Sequence, residues 1–303
     1  MQRARMMRIS DQVARIVFLI CAILVVAIII SVFYFIGSKA FKVFYLPGGS
    51  SVQEFFTSTH WDPTAGNSDN PAYGAWGLIL GSIIITLASV LIATPLSFGM
   101  ALFMAEVTPR WLSRILQPLL EVFTGMPSVV IGFLGLTVLV PWLGTISQTL
   151  GYGYGAAIIV LVVMIIPTIV SVSIDAIRAV PSSVREASLA LGSSKWQTMS
   201  KAIIPAASTG LATAVVLGMA RAIGETLAVA MVLGGQSLPD KLYNLKALFF
   251  TPTTNITQAI LSDFGETSGI AQDAYWTLAF LLLVISLAFI CVSRYLASRS
   301  VYK

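Results

Sequence analysis

Apolar residues run through this chain in six long blocks, at about 16–38, 76–104, 116–141, 154–174, 208–234 and 274–296, with polar stretches between them. Each block is near or above the roughly 20 residues a helix needs to cross the hydrocarbon of a bilayer. A backbone in lipid must satisfy its own hydrogen bonds, so each block is expected to be a helix. The pattern predicts an all-α polytopic membrane protein with six transmembrane helices. Pro95, Pro127 and Pro167 fall inside the second, third and fourth blocks; membrane bundles tolerate such prolines because neighbouring helices satisfy the freed carbonyls. Gly77 and Gly81 open the second block at a spacing that lets helices approach closely, and the pair reads as a packing feature.

The first block follows Arg3, Arg5, Arg8 and Arg15. Its apolar run from Ile16 to Ile36 is too long for a signal-peptide core, and no small-residue cleavage site follows it, so it is expected to remain as the first span. Charge then orients the bundle. Thirteen basic residues fall on one face: those four with Arg110, Arg114, Arg178, Arg185, Lys195, Lys201, Arg294, Arg299 and Lys303. Four fall on the other: Lys39, Lys42, Lys241 and Lys246. The excess places both termini in the cytoplasm. The expected organisation is a cytoplasmic N-terminus (1–15), a first transmembrane helix (16–38), a periplasmic loop (39–75), a core of five transmembrane helices (76–296) holding a cytoplasmic loop at 175–205, and a cytoplasmic C-terminus (297–303).

Composition agrees with that layout. Of 303 residues, 57% are hydrophobic and only 10% charged, where soluble domains carry about 25% charged residues. The formal charge of +5 is accounted for by residues beside the spans, which points to the membrane surface and membrane lipid and not to nucleic acid. Cys21 and Cys291 lie inside apolar blocks with no CxxC spacing, and read as small buried hydrophobes. His60 is the only histidine and is expected in an exposed loop, so no metal site is predicted.

The loop between the fourth and fifth blocks is too polar to insert. Pro181 followed by serines suits a helix start, Gly192 suits a left-handed helix end, and Ser194 suits the cap of a second segment stopping near Pro205. A helix–turn–helix on the cytoplasmic surface follows, which by periodicity alone could simply join two spans. Glu186-Ala187-Ser188, Gly192 and Pro205, however, resemble the EAA loop of ABC importer permeases, EAA-x3-G-x9-I-x-L-P. Ser188 stands for the second Ala, Ala202 for Ile and Ile204 for Leu; the Glu–Gly–Pro skeleton is intact. The resemblance implies a type I permease architecture, and a loop that docks in a groove of an ATPase subunit and couples to its closure. No GxxxxGK[ST] occurs, so no nucleotide-phosphate cradle is present. The chain is expected to be a transport subunit and not an enzyme, binding no cofactor itself, with ATP used by the partner subunit.

Arg221 and Glu225 interrupt the fifth block. An Arg at the bilayer centre costs on the order of 2.5–3.5 kcal/mol by insertion scales, and such residues persist by pairing or by facing a water-filled path. On one continuous helix, a spacing of four puts both on one face. Two readings stay open: a structural intramembrane ion pair, or an anion path in which the planar Arg matches two oxygens of an oxyanion.

Arg221-x-x-Gly224-Glu225-Thr226 resembles the phosphate-specific importers, whereas sulfate and molybdate permeases tend to show Gly-Glu-Phe. Pro127-Ser-Val-Val-Ile-Gly-Phe133, Ile92-Ala-Thr-Pro-Leu-Ser-Phe-Gly99, Trp61-Asp-Pro63 and Tyr73-Gly74 resemble the same family, so that the likeness covers nearly the whole chain. It implies a substrate path through Arg221, Glu225 and Thr226. It also implies a second homologous permease (PstA-like), an ATPase dimer (PstB-like) and a phosphate-binding protein (PstS-like). The long first external loop favours the PstC type of permease; a PstA-type partner and a sulfate or molybdate permease are the alternatives. A secondary transporter would leave the EAA-like loop unexplained, and an intramembrane hydrolase would need a nucleophile and base that the sequence lacks. Glu106 and Glu121 are expected to be solvated or paired with Arg110 and Arg114. Asp175 and Arg178 read as a local ion pair, and Trp76, Trp111, Trp142 and Trp276 as an aromatic belt.

Overall fold

The computed structural model describes residues 2–64, 71–235 and 245–299, without the side chains of 2–11, 110, 245 and 296–299. Lys241 and Lys303 lie outside the described residues.

Helix α1 (Gln2–Ala40) leads into a segment of helix α2 (Val52–Thr57) and two short strands, β1 (Trp61–Asp62) and β2 (Ala72–Tyr73). Helix α3 (Trp76–Leu102) continues through a π turn at Phe103–Val107. Next come α4 (Arg110–Gly125), α5 (Ser128–Leu134), a π turn at Gly135–Leu139, α6 (Val140–Ser147) and α7 (Tyr154–Arg178). The loop that follows holds α8 (Ser182–Ala190), α9 (Lys195–Thr198), a π turn at Met199–Ile203 and α10 (Ile204–Ala206). The chain ends with α11 (Ser208–Gly224), α12 (Leu227–Leu233), α13 (Leu245–Phe250), α14 (Ile256–Asp263) and α15 (Ile270–Arg299).

Five helical stretches are long and apolar enough to cross a membrane, and the pair Lys195–Ala206 and Ser208–Gly224, bent by 71°, makes a sixth if taken as one span. Two expected spans differ in outline. The block at 116–141 is divided at Met126–Pro127. Pro127 has no N–H and disfavours the helical region for the residue before it, and Met126 is extended (φ −67°, ψ 132°). Pro127 therefore starts a helix and does not interrupt one, and the crossing stretch runs Ser128–Ser147. The residues before it belong to α4, which exposes a stripe of Trp111, Ile115, Leu119 and Val122 along one side. Pro95 and Pro167 do sit inside α3 and α7. The block at 208–234 is broken between α11 and α12.

Helices α3 and α7 form the centre of the bundle, with α11 packed on both and on α15. Gly81 permits the closest part of the α3–α7 contact, because a Cβ there would run into the phenol of Tyr154. Helix α1 is peripheral: it touches α15 and leaves most of its apolar side chains from Ile16 to Phe35 exposed. Cys21 on α1 and Cys291 on α15 are exposed free thiols, contrary to the burial expected of them. The surface of a spanning helix is satisfied by lipid, so an apolar block does not by itself imply a protein-buried position.

At one end, Phe55, Trp61 and Tyr275 stack edge to face over the core of Leu78, Ile256 and Leu278. The Trp61 and Tyr73 motifs, separate in sequence, are partners in the antiparallel pair β1–β2. The opposite end is packed by Met104, Leu120, Ile177, Ile203 and Leu211. Trp76, Trp111 and Trp142 are exposed, and Trp276 stacks on Phe35 and Phe264.

Candidate functional site

The polar residues of the fifth block stand where its helix fails. Helix α11 ends at Gly224, Glu225 is extended (φ −75°, ψ 122°), and α12 starts after Thr226, whose side chain makes no cap bond. The same-face argument for Arg221 and Glu225 needs one continuous helix, and the break removes it. Among the described residues no ion pair forms between them; the only one within 4.0 Å is Arg185–Glu106. Arg221 instead donates through Nη1 to Thr168 Oγ1 at 2.7 Å and through Nη2 to the Thr124 carbonyl at 3.4 Å. Thr168 follows Pro167 on α7, and Thr124 is in the last turn of α4.

Opposite lies the other break. Glu225 feels the charge of Arg221 and meets the hydroxyl of Ser128, the first residue of α5. The two half-helices α5 and α12 touch closely, since a Cβ on Gly132 would fall 2.6 Å from Ala228 Cα. Arg221, Glu225 and Thr226 are each half-buried. The three expected residues, near neighbours in sequence, thus lie at the junction of two helix interruptions, where the stretch ending at Gly224 stops and the one over Ser128–Ser147 begins. The structure adds Thr168 and Thr124, which the sequence pattern did not single out, and Ser128, which that pattern held only as part of the motif at 127–133. Thr168, a hydroxyl beside a proline in an apolar run, carried a signal; Thr124 acts through its backbone and carried none. Among the described residues, several of the five guanidinium donors have no hydrogen-bond acceptor and stand beside irregular backbone, a combination suited to an oxyanion.

The second candidate is the hairpin after α7. Pro181 occupies the N-cap of α8. Gly192 turns the chain at φ +80°, and nothing lies within 4 Å of where its Cβ would be, so glycine is required there by backbone conformation alone. Ser194 and Gln197 form a reciprocal capping box on α9. The second segment reaches Ala206, one residue past Pro205. Ser188, the departure from the EAA pattern, ties the two arms of the hairpin together. Its hydroxyl meets Ser193 Oγ at 2.7 Å and Thr198 Oγ1 at 3.1 Å. Glu186 and Ala187 are exposed. So are three large apolar side chains, Leu189 at 49%, Leu191 at 89% and Trp196 at 67%, a composition suited to a protein groove.

Local pairing gives way to longer-range contacts. Glu106 pairs with Arg185, 79 positions away, and among the described residues neither it nor Glu121 forms an ion pair with Arg114; the side chain of Arg110 lies outside those residues. Arg178 reaches Ser113 Oγ at 3.5 Å across to α4, and not Asp175. No group of three His, Cys, Asp or Glu residues suited to a metal occurs among the described residues.

An all-α bundle of apolar helices, interrupted at polar residues in its interior and carrying a structured polar hairpin at one end, defines a multi-pass membrane permease. The chain belongs to the family of inner membrane components of binding-protein-dependent transport systems, which residues 96–302 match. It is 42% identical over 301 residues to the probable ABC transporter permease protein YqgH of Bacillus subtilis (strain 168), covering 98% of this chain and 94% of that one. It is 34% identical to the phosphate transport system permease protein PstC of Haemophilus influenzae over 93% of this chain and 90% of that one. The PstC protein of Xylella fastidiosa (strain 9a5c) is 35% identical over 81% and 78%. Among solved structures, a bacterial alginate ABC transporter bound to its periplasmic protein has the same fold. Its TM-score is 0.63 at 16% identity, over 93% of this chain and 94% of that one. The inward-facing MetNI methionine ABC transporter matches with a TM-score of 0.59 at 18% identity, over 75% and 96%. The chain is thus an ABC-importer permease subunit, of a family whose ATP hydrolysis is performed by a separate ATPase.

Proposed function

We propose that this chain is the PstC-type permease of an ATP-driven phosphate importer, with both termini in the cytoplasm. It forms the path together with a second, PstA-like permease. The observation that carries the reading is Arg221, held by Thr168 at the junction of two broken helices with donors to spare. Broken helices near the bilayer midplane are a recurrent way of building a transport site, because irregular backbone is tolerated where it lines a cavity. Glu225 balances the guanidinium charge between transport events, and Thr226 supplies a hydroxyl beside the break. The names of the PstC relatives and the Arg-x-x-Gly-Glu-Thr sequence support phosphate as the solute.

The exposed face of the hairpin around Glu186, Ala187, Ser188, Gly192 and Pro205 is the docking element for a PstB-like ATPase dimer, and a PstS-like protein delivers phosphate from outside. Leu189, Leu191 and Trp196 give that docking its apolar contact. The test is uptake of labelled phosphate in a strain lacking its own importers and supplied with the complete transporter, with sulfate and molybdate as competitors. Phosphate uptake that persists in Arg221→Gln, or uptake suppressed by sulfate or molybdate, would overturn the assignment.

A further inference from the structure

We propose that Arg185 and Glu106 are positioning residues of energy coupling: they form a clasp through which displacement of the hairpin is passed to the ends of α3 and α7. This rests on the reading of the hairpin as the ATPase-docking element. Arg185 directly precedes Glu186 in α8, yet its side chain turns the other way, into the permease. Nε donates to both oxygens of Glu106, at 3.1 and 3.4 Å, and Nη2 donates to Oε1 at 2.7 Å. Nη2 also donates to the Ile177 carbonyl at 2.9 Å, and Nη1 donates to the Val180 carbonyl. All three guanidinium nitrogens are thus engaged, on two separate pieces of chain, the end of α3 and the end of α7.

The targets explain why such a contact transmits movement. Glu106 lies in the π turn that ends the α3 span. Ile177 is in the last turn of α7, where carbonyls lack intrahelical donors and accept from a cation. Helices α3 and α7 form the most extensive helix pair in the molecule, so the clasp grips the central unit of the bundle. Beside the clasp, the hairpin meets that unit through apolar contact, with Ile203 buried in the cluster of Met104 and Ile177 and with Val184 and Met199 at its edge. Helix α8 packs chiefly on α9 and on the π turn at Met199–Ile203. A cavity of about 240 Å³ lined by Val107, Leu189, Lys195 and Met199 extends beside the clasp. A push on α8 reaches α3 through the directional bonds of Arg185, through the non-directional apolar contact around Ile203, or along the chain through Ala207, where the path bends by 71° before α11. Glu106 and Arg185 keep side-chain exposures of only 17% and 24%. A lone surface ion pair contributes little; this one is bidentate and reinforced by two carbonyls, which holds it in a single geometry.

The experiment uses the complete transporter reconstituted in liposomes, with Arg185→Ala, Arg185→Lys and Glu106→Gln. ATPase retained in the complex, ATP hydrolysis and uptake of labelled phosphate are measured together. The expected result for Arg185→Ala is normal ATPase content and hydrolysis with uptake reduced on the order of tenfold, so that more ATP is consumed per ion moved. Arg185→Lys keeps the charge without the fork and is expected to fall between. Glu106→Gln is expected to shift the same ratio with the chain stably assembled. Uptake within about twofold of the parent in both Arg185→Ala and Glu106→Gln would overturn the proposal. So would a parallel loss of ATPase content, hydrolysis and uptake, which would make the clasp an assembly contact. Glu186→Lys, on the exposed face and away from the clasp, separates the two readings. Normal ATPase content there would remove the docking assignment itself, whereas its loss beside intact coupling in Arg185→Ala would remove only the clasp.

Discussion

Arg221 is held by Thr168, at 2.7 Å between Nη1 and Oγ1, and not by Glu225 four positions along the chain. This relationship separates two roles for the intramembrane charges. A structural ion pair would be repaired by removing both charges, because the destabilising state is the unpaired one. A guanidinium held by a hydroxyl and a carbonyl keeps its position without a direct carboxylate contact. Arg221→Gln with Glu225→Gln is therefore expected to assemble normally and to transport no phosphate, as measured by copurification and labelled uptake. Parent-like uptake in that double variant would make the pair a structural clasp. Thr168→Val removes an acceptor for a charged donor, a bond of about 1.5–3 kcal/mol, and is expected to lower uptake while leaving assembly intact. Arg221→Lys keeps the charge and is expected to lose most uptake, because the planar fork is gone.

The contact of α5 with α12 predicts a sharp size limit. A Cβ on Gly132 would lie 2.6 Å from Ala228 Cα, a backbone atom that cannot rotate away. Gly132→Ala must force the half-helices apart, at a cost of about 1–3 kcal/mol for overpacking, and Gly132→Val more. Lower thermal stability in detergent and lower uptake are expected together. Gly125→Ala is the control, since nothing lies within 4 Å of a Cβ there. Equal melting behaviour of the Gly132 and Gly125 variants would refute the close approach.

The apolar blocks located the helices because lipid demands long apolar segments whatever the tertiary contacts. The hairpin was equally legible, because Pro181, Gly192 and Ser194 act locally through caps and a left-handed turn. What escaped was decided by contacts between distant segments. The break at Glu225 involves no proline, and the Glu106–Arg185 clasp spans 79 positions. Arg221 was found by its cost in a membrane, but its partners Thr168 and Thr124 are set by how α7 and α4 pack. The block at 116–141 misled because α4 is apolar along one stripe only, and hydropathy averaged over a block hides that.

The charge asymmetry predicts which end of the bundle faces the cytoplasm, and accessibility can check it. Cys21 and Cys291 are exposed thiols, so both are first replaced by Ala. His60→Cys, at an exposed position between α2 and β1, is expected to react with a membrane-impermeant thiol reagent in intact cells. Lys201→Cys, exposed on the hairpin segment, is expected to react only after the membrane is opened. The reverse pattern would invert the proposed orientation and the docking assignment with it.

Gly192 offers a test of the hairpin that packing does not confound. Its φ is +80° and the space around its Cβ is open, so substitutions act through the backbone alone. An L-residue in the left-handed region costs about 1–2 kcal/mol, and Asn is the side chain that visits it most readily. Proline is fixed near φ −65° and cannot enter it, so Gly192→Pro must rebuild the turn. The turn sets the angle between α8 and α9, and with it the relative placement of Glu186, Leu191 and Trp196 on the exposed face. ATPase copurification and phosphate uptake are therefore expected to decline in the order Gly, Asn, Ala, Pro. Abundance in the membrane should stay constant along the series, because no packing contact is lost. Glu186→Lys, which reverses a charge on the same face without disturbing the turn, is expected to match Gly192→Pro in both readouts. A series in which uptake tracks membrane abundance, or in which Pro behaves like Gly, would mean that the hairpin does no more than connect α7 to α11.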